Sequence, residues 1–190
     1  MKPEIFCLIN DFPLEDGIFR YMLSFAEPEK RERILRQRIK LNADSMLLGD
    51  MLAKFAVKKV FSVPVCRQKT TLGKYGKPYL AAYPDIHFSI SHSDSLVICA
   101  VCDTPVGADV QKVCEYKPAL AEHVCSGSEL CEISGSVDKA DTFCRLWAAK
   151  EAFVKMKGVG IGCDLKKINP KPDISLCIEN YRICVCYEKG

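Results

Sequence analysis

The stretch FCRLWAAKEAFVKMKG, residues 143–158, places charged groups and core residues in one helical pattern. At 3.6 residues per turn, one side carries Trp147, Lys150, Glu151 and Val154. Asp141 precedes the pattern, where a carboxylate suits the positive end of the helix dipole. Gly158 follows it, where glycine can adopt the left-handed conformation that ends a helix. The stretch therefore predicts one helix from about Asp141 to Gly158.

Glu151 and Lys155 are four residues apart, so a carboxylate and an ammonium project in neighbouring directions from this helix. Taken alone, such a pair is most often a solvated ion pair that contributes a few tenths of a kcal/mol. The rest of the chain is needed to decide whether the pair has a chemical role.

Length and composition set limits on the fold and on the partners. The chain has 190 residues, of which 48% are hydrophobic, enough for one domain or for two small halves packed together. A formal charge of +3, from 27 basic and 24 acidic residues, excludes the global basic field of a general nucleic-acid binder. An apolar run of membrane-spanning length and a signal-peptide pattern are both lacking. We therefore expect a soluble cytoplasmic protein with no nucleic-acid or membrane partner.

Twelve cysteines invite a disulfide or zinc interpretation, and the spacing favours neither. A disulfide framework would suit an exported chain, and no export signal is present. Cys99 and Cys102 form a C-x-x-C pair, but their odd spacing directs them to opposite faces of a strand, and a second pair at zinc-ribbon spacing is lacking. We expect most of these thiols to be small buried hydrophobes.

The order of elements predicts an α+β fold. We expect a strand at 4–9, two helices within 28–61 broken near 42–44, strands at 86–91, 96–102 and 106–111, and a terminal hairpin within 174–187. Each half then offers a helix and antiparallel strands, with a joint near residues 103–106. We predict an N-terminal subdomain of residues 1–104 and a C-terminal subdomain of residues 105–190.

Two polar positions stand out within this pattern. His92 lies at a hairpin rim beside three serines, where a surface role is usual but where imidazole and hydroxyl groups would also suit phosphate oxygens. Asp109 interrupts the apolar segment VGADV, where a carboxylate is costly unless it is paired or bound to a metal. Gln111 lies two residues further along the strand and so shares a face with Asp109. A structural salt bridge of Asp109 remains the alternative to a site.

Two basic features have both a structural and a functional interpretation. Residues 30–40 carry six basic side chains, which could form a solvated helix face or meet a phosphate or an acidic partner. The turn Gly76-Lys77-Pro78 presents one ammonium on a backbone of fixed φ, a weak signal by itself.

Five motifs taken together carry a resemblance to a known family. They are LLGD at 47–50, GKP at 76–78, FSISHS at 88–93, PVGADVQ at 105–111 and LWAAKEAFVKMKGVGI at 146–161. In this order and at these separations they make the chain resemble the 4′-phosphopantetheinyl transferases of the surfactin-synthetase-associated class. Each motif alone is weak, whereas a G-x-D strand combined with a W-x-x-K-E helix is specific.

The resemblance implies a pseudo-twofold α+β monomer of two similar subdomains, with coenzyme A in the cleft between them. It implies that a carrier-protein serine attacks the coenzyme A pyrophosphate, that phosphopantetheine moves to the serine and that 3′,5′-ADP leaves. A pyrophosphate reaction of this kind suits a hard divalent cation held by oxygen ligands, and Mg²⁺ is the natural choice. An acidic carrier protein would also give the basic segment 30–40 a use, by electrostatic steering.

The resemblance also implies roles for individual residues. Asp109 and Glu151 match the family's carboxylate metal ligands, and Gln111 takes the position of a third ligand. Lys150 and Lys155 would support a phosphate or the catalytic carboxylate electrostatically.

Other matched residues would contact coenzyme A or the serine. Ser91 and His92 would touch the 3′-phosphate or the pyrophosphate, and Lys77 with Pro78 the nucleotide end. Glu129, in the SGSE turn, matches a position proposed as the base for the serine hydroxyl, a task that Glu151 or a metal-bound water could also perform.

The chain departs from the family pattern at two positions. Many relatives carry Glu where this chain has Gln111, so weaker metal binding or an intervening water is expected. Ser45 stands where a basic residue is often found, so nucleotide contacts there would fall to Arg31, Arg33 or Arg38.

A silent relative that binds coenzyme A or a carrier without efficient transfer is one alternative. An RNA-binding or scaffold protein that uses the basic segment is the other, and it would show salt-sensitive binding to nucleic acid.

Overall fold

A computed structural model describes residues 1–160 and 163–189 of the chain. The strands are β1 (Glu4–Ile9), β2 (Thr70–Leu72), β3 (Pro78–Leu80), β4 (His87–Ser93), β5 (Leu96–Cys102), β6 (Val106–Lys112), β7 (Ile174–Ile178) and β8 (Tyr181–Tyr187). The helices are α1 (Asp16–Leu23), α2 (Pro28–Leu35), α3 (Lys40–Phe61), α4 (Pro118–Val124), α5 (Gly127–Gly135) and α6 (Lys139–Lys157). Short 3₁₀ helices lie at Val65–Arg67 and Leu165–Lys167.

The two halves of the chain repeat one topology. The first half runs β1, α3, β4, β5, and its antiparallel sheet has the order β1-β5-β4. The second half runs β6, α6, β7, β8, and its antiparallel sheet has the order β6-β8-β7. In both sheets the third strand of the unit lies between the other two. The predicted α+β fold of two similar halves is therefore confirmed, while the boundary between residues 104 and 105 stays a prediction.

Each half buries its sheet against one long helix. Helix α3 packs on β4 and β5, and helix α6 packs on β6 and β8. The approach of α6 to β6 is closest at Gly107, where an added Cβ would lie 2.0 Å from the carbonyl oxygen of Ala152 and 2.2 Å from the backbone nitrogen of Met156. Because real Cβ atoms do not come so near to backbone, glycine at this position allows α6 to lie directly on the strand that carries Asp109.

The inner edges of the two sheets, β4 and β6, are joined by side-chain hydroxyls. Alternate serines of β4 accept hydrogen bonds from backbone N–H groups of β6: Ser89 from Ala108 at 2.9 Å, Ser91 from Val110 at 3.4 Å and Ser93 from Lys112 at 3.0 Å. The residue numbers rise together along both strands, so β4 and β6 run side by side in the same direction. We call these three contacts the serine ladder. It explains the pattern S-x-S-x-S, because alternate side chains of a strand point to one side.

Some local predictions were wrong. The break between the second and third helices lies at residues 36–39 and not near 42–44, because Ile39 is extended and precedes the first residue of α3. Asp44 lies inside that helix, where its carboxylate accepts from the backbone N–H of Leu14 and pairs with Lys40. Helix α6 begins at Lys139, before the predicted start, because the Asp138 side chain caps it by accepting from the N–H of Asp141.

Helix α1 and the hairpin β2-β3 were not predicted. Helix α1 follows a segment with strong turn signals, and it is stabilised by packing against α3, where Leu23 is buried and Met22 lies beside it. The left-handed Gly158 that ends α6 agrees with the prediction. The last motif residue, Ile161, lies outside the described residues.

Two composition-based expectations can be compared with the structure. All twelve cysteines are free and six are buried, so the expectation that most of them are buried holds for only half. Among the described residues, no helix is both long enough and apolar enough to cross a membrane.

Candidate active site

A cavity of about 540 Å³ lies between the two halves. Its walls come from α2, α3, the β2-β3 hairpin and β4 of the first half and from α6 of the second. The basic groups that line it are Lys30, Arg33, Lys77, His92 and Lys155, and the carboxylates that line it are Glu27, Glu29, Asp50 and Glu151. Apolar side chains such as Phe88 and Ile90 complete the wall. The basic groups could bind the phosphates of a ligand, and the apolar side chains could pack against a flat base or an apolar arm.

Beside this cavity, Asp109 is the centre of a hydrogen-bonded cluster. It is 2% exposed and lies on β6. Its Oδ1 atom accepts from the Ser91 hydroxyl at 2.7 Å and from the Lys155 ammonium at 2.6 Å, and its Oδ2 atom accepts from Gln111 Nε2 at 2.7 Å. Lys155 also donates to the Ser91 hydroxyl at 3.0 Å. Four residues from three elements thus meet at one buried carboxylate, which satisfies the requirement that a buried charge be paired.

Glu151 brings a second carboxylate to the same place. It lies one turn before Lys155 on α6 and lines the cavity. Burial raises the pKa of Glu151 above its ordinary value, the charge of Asp109 raises it further, and Lys155 opposes both effects. Within the described ranges, Lys155 forms its ion pair with Asp109, not with Glu151, so the solvated pair suggested by the spacing is not the one that forms. Asp109 and Glu151 therefore lie close enough to interact, and the Lys155 ammonium is paired with Asp109.

The donor atoms of this cluster suit a hard cation. Asp109 and Glu151 offer carboxylate oxygens, and Gln111 has an amide oxygen beside the nitrogen that donates to Asp109. Oxygen ligands of this kind are those that Mg²⁺ prefers, and two nearby carboxylates are stabilised when a cation neutralises them. In the described parts of the chain, no group of three or more His, Cys, Asp or Glu side chains could hold a metal ion, so a site here would use two carboxylates and the amide.

Two residues predicted to be catalytic lie elsewhere. Lys150 is 0% exposed, and its ammonium lies 2.9 Å from Glu129 Oε1 and 2.8 Å from the Leu165 carbonyl oxygen, and it also donates to the Ile168 carbonyl. Glu129 is buried and forms a capping box with Ser126 at the start of α5. These contacts tie α6 to α5 and to the following loop. Catalytic roles for Lys150 and Glu129 stay predictions, and the geometry gives the pair a structural task.

The residues predicted to hold coenzyme A are divided between the cavity and its surroundings. Lys77, Pro78 and His92 line the cavity, whereas the Ser91 hydroxyl is turned to Asp109. Lys77 donates to the carbonyl oxygens of Val106 at 2.9 Å and Met156 at 3.4 Å. Burial lowers the pKa of Lys77 to about 8. Desolvation and then the ammonium groups of Lys155 and Lys30 lower the pKa of His92, which favours a neutral imidazole.

The basic segment contributes more to the cavity than the sequence indicated. Lys30 and Arg33, one turn apart on α2, both line it, and burial lowers the pKa of Lys30. Arg33 was one of three arginines expected at this edge, whereas Lys30 was not singled out. Arg31 is used differently, because its guanidinium donates to the backbone oxygens of Ser24 and Ala26. The spacing of three residues along a helix was the signal that could have paired Lys30 with Arg33.

Comparisons with known proteins agree with this geometry. Residues 105–187 match a family model described as the 4′-phosphopantetheinyl transferase superfamily, and residues 13–104 match one described as 4′-phosphopantetheinyl transferase, N-terminal. A 4′-phosphopantetheinyl transferase of Bacillus subtilis is 34% identical over 85% of this chain and 73% of its own length. The 4′-phosphopantetheinyl transferase Sfp of Bacillus subtilis (strain 168) is 32% identical over the same shares. An L-aminoadipate-semialdehyde dehydrogenase-phosphopantetheinyl transferase of Mus musculus is 28% identical over 75% of this chain and 51% of its own length.

Proposed function

The chain belongs to the 4′-phosphopantetheinyl transferase superfamily, and from this membership and the geometry of its site we propose how it performs the transfer. The enzyme transfers phosphopantetheine from coenzyme A to a carrier protein. In our proposal the acceptor is a serine hydroxyl of an apo acyl or peptidyl carrier protein. The reaction needs Mg²⁺, and 3′,5′-ADP is released. The observation that carries the proposal is that Glu151 and Lys155 line a cavity shared by both halves, while the buried Asp109 beside it pairs with Lys155 and raises the pKa of Glu151.

The cavity fits coenzyme A by its charge pattern. Coenzyme A carries a pyrophosphate and a 3′-phosphate, and the lining offers Lys30, Arg33, Lys77 and Lys155 as cationic partners. Lys155 has three N–H donors, two of which are directed at Asp109 and Ser91, so one is left for a phosphate oxygen. His92, kept neutral, can donate one further hydrogen bond.

We propose that Asp109, Glu151 and the Gln111 amide oxygen hold Mg²⁺. When bound, the metal supplies positive charge that neutralises the pyrophosphate as the leaving group departs. Gln111 brings no charge, so we expect weaker metal affinity than a third carboxylate would give. Because Gln111 Nε2 donates to Asp109, the same amide also orients that carboxylate.

The chain's own groups then divide the chemistry. The serine oxygen forms a bond to the phosphorus next to pantetheine, and the bond from that phosphorus to the oxygen of the departing 3′,5′-ADP breaks. Glu151 faces the cavity, where the carboxylate oxygen that is not bound to the metal can accept the serine proton. Lys155 lies where it can stabilise negative charge on the phosphoryl oxygens. The buried pair of Glu129 and Lys150 ties α6 to α5 and so helps to hold Glu151 and Lys155 in place.

We further propose that the enzyme acts in the cytoplasm as a monomer. Twelve free cysteines suit a reducing compartment. A single chain supplies both walls of the cavity, so a second copy is not needed to complete the site.

The first test is the intact mass of a purified apo carrier protein after incubation with the enzyme, coenzyme A and Mg²⁺. We expect a gain of one phosphopantetheine arm that is lost on chelation. Glu151→Ala should lower the transfer rate by at least about 100-fold, because it removes a metal ligand and the proton acceptor together. Glu4→Ala removes an exposed carboxylate of β1 and serves as the matched control. Transfer by Glu151→Ala within about threefold of the wild-type rate would contradict the assignment.

A further inference from the structure

Ser91 belongs to the first half, yet its hydroxyl is bound to the charged groups of the second. It donates to Asp109 Oδ1 at 2.7 Å, and it accepts from Lys155 Nζ at 3.0 Å and from the backbone N–H of Val110 at 3.4 Å. A hydroxyl has one proton to donate and two lone pairs to accept with. All three are used, so in this arrangement the hydroxyl has nothing left to offer a phosphate oxygen.

The serine ladder contains its own control for this observation. Ser93 accepts from the N–H of Lys112 at 3.0 Å, so it makes the same kind of contact between the halves as Ser91 makes with Val110. In the part of the chain that the structure describes, Ser91 adds hydrogen bonds to Asp109 and Lys155, whereas Ser93 makes the backbone contact alone. Comparing the two serines therefore separates joining the sheets from orienting the site.

The position of the hydroxyl has a consequence for the Asp109 carboxylate. Asp109 Oδ1 has two donors, and without Ser91 it would be held by Lys155 alone. Lys155 is a flexible side chain that must also serve a phosphate, so it fixes the carboxylate less well than a short, buried serine. Hydrogen bonds to a ligating carboxylate set its orientation, and their loss typically costs about 10–100-fold in metal affinity or activity.

We propose that Ser91 is a positioning residue that holds the Asp109 carboxylate and the Lys155 ammonium in a fixed relation, so that the first half sets the geometry of the second half's metal ligand. The inference rests on the proposed function and assigns Ser91 to Asp109 instead of to a phosphate of coenzyme A. It also gives the first half a part in a metal site whose two carboxylates, Asp109 and Glu151, both come from the second half.

The experiment compares Ser91→Ala, Ser91→Thr and Ser93→Ala with the wild type. Three quantities are measured: kcat and KM for coenzyme A in carrier-protein transfer, the affinity of the enzyme–coenzyme A complex for Mn²⁺ by electron paramagnetic resonance, and stability in urea. For Ser91→Ala we expect kcat to fall about 10–100-fold and Mn²⁺ affinity to fall about 10-fold, with KM within twofold. Ser91→Thr keeps the hydroxyl and should recover most of kcat. Ser93→Ala should lose stability about as much as Ser91→Ala and keep kcat.

Two results would overturn the inference. If Ser91→Ala raises KM for coenzyme A and leaves kcat and Mn²⁺ affinity unchanged, the hydroxyl binds a phosphate. If Ser91→Ala and Ser93→Ala change all three quantities alike, Ser91 does no more than join the sheets. Failure of the proposed function looks different, because the wild type itself would then transfer nothing. In that case equal Mn²⁺ affinity in the wild type and Ser91→Ala would refute the role of Ser91 on its own.

Discussion

Helices α3 and α6 occupy equivalent places in the two halves, and each carries an acidic residue followed four residues later by lysine. In α3, Asp50 and Lys54 are both buried and lie 3.3 Å apart as an ion pair within the helix. In α6, Lys155 Nζ pairs with Asp109 Oδ1 on the neighbouring strand at 2.6 Å and not with Glu151. Asp50 and Glu151 both line the cavity, but the same spacing gives an ion pair within the helix in the first half and not in the second.

The strand beneath each helix explains the difference. Helix α6 packs on β6, the strand that carries Asp109, whereas helix α3 packs on β4 and β5. The sequences of β4 and β5, HFSISHS and LVICAVC, contain no Asp or Glu, and Lys54 lies beside Leu80 and Phe88. Lys54 therefore has no strand carboxylate to reach and stays with Asp50, as one expects for a charge in an apolar setting. A lysine and an acid at helical spacing become a site when the opposing strand supplies a third group.

The largest effect should come from Gly107→Ala, with Gly49→Ala as its counterpart in the first half. At Gly107 the added methyl would meet backbone at 2.0 Å, so α6 must leave the strand, and we expect a loss of at least about 4 kcal/mol of unfolding free energy. At Gly49 the methyl would meet a side-chain carbon of Ile90 at 2.7 Å, and alanine favours the helix by about 1 kcal/mol, so we expect a net loss below about 2 kcal/mol. Urea unfolding measures both. Equal losses would show that the two helices do not differ in how closely they approach their sheets.

The buried pair of α3 should give the next largest effect. The two charged atoms, Asp50 Oδ2 and Lys54 Nζ, have no aligned hydrogen bond among the described residues, so their desolvation is poorly compensated. Asp50→Asn or Lys54→Met alone should cost about 3 kcal/mol, because each leaves one buried charge without its partner.

The double variant Asp50→Leu/Lys54→Met should be more stable than either single variant, since both charges are removed together. A double-mutant cycle in urea gives the coupling between the two positions. Additive losses would mean that the two residues do not act as a pair. They would also weaken the contrast with α6, where the lysine pairs with Asp109 and not with the acid of its own helix.

Much of the fold could be predicted from the sequence because it depends on local patterns. Alternating residues gave β4, β5, β6 and the terminal hairpin to within a few residues, and helical periodicity with Gly158 gave the end of α6. Helix α1 and the exact break before α3 depend on packing against distant residues, such as the contact of Leu14 with Asp44. Such contacts are not visible in a window of neighbouring residues.

For the site, the sequence indicated the residue types better than their partners. Asp109 stood out as a carboxylate in an apolar strand, and Glu151 and Lys155 through their motif. Lys150 was grouped with Glu151, although adjacent residues of a helix point about 100° apart, which is enough to turn Lys150 into the core. The pairing of Ser91 with Asp109 depends on how β4 and β6 are aligned, and this alignment joins two halves that no local pattern connects.

The smallest effect concerns Lys77, through which the hairpin of the first half supports the end of α6. Its partly buried ammonium donates to the carbonyl oxygens of Val106 and Met156, and desolvation lowers its pKa to about 8 from an ordinary value of 10.5. Between these two pH values the unfolded chain binds the proton and the folded chain does not, so stability rises with pH there. The cost of burying the charge is fully present below about pH 8.

We therefore expect the unfolding free energy of the wild type, relative to Lys77→Met, to rise by about 1–2 kcal/mol from pH 8 to pH 10. Buried thiols such as Cys99, whose pKa is raised to about 12, have the opposite effect, because they make the folded protein less stable as the pH rises above 9. The difference between the two proteins removes this effect, because both contain the same thiols. Urea unfolding of both proteins at several pH values gives the curve. A difference that does not change with pH would mean that Lys77 stays charged in the folded protein. The first half would then hold the end of α6 through a solvated ammonium, in contrast to the buried lysine of its own helix α3.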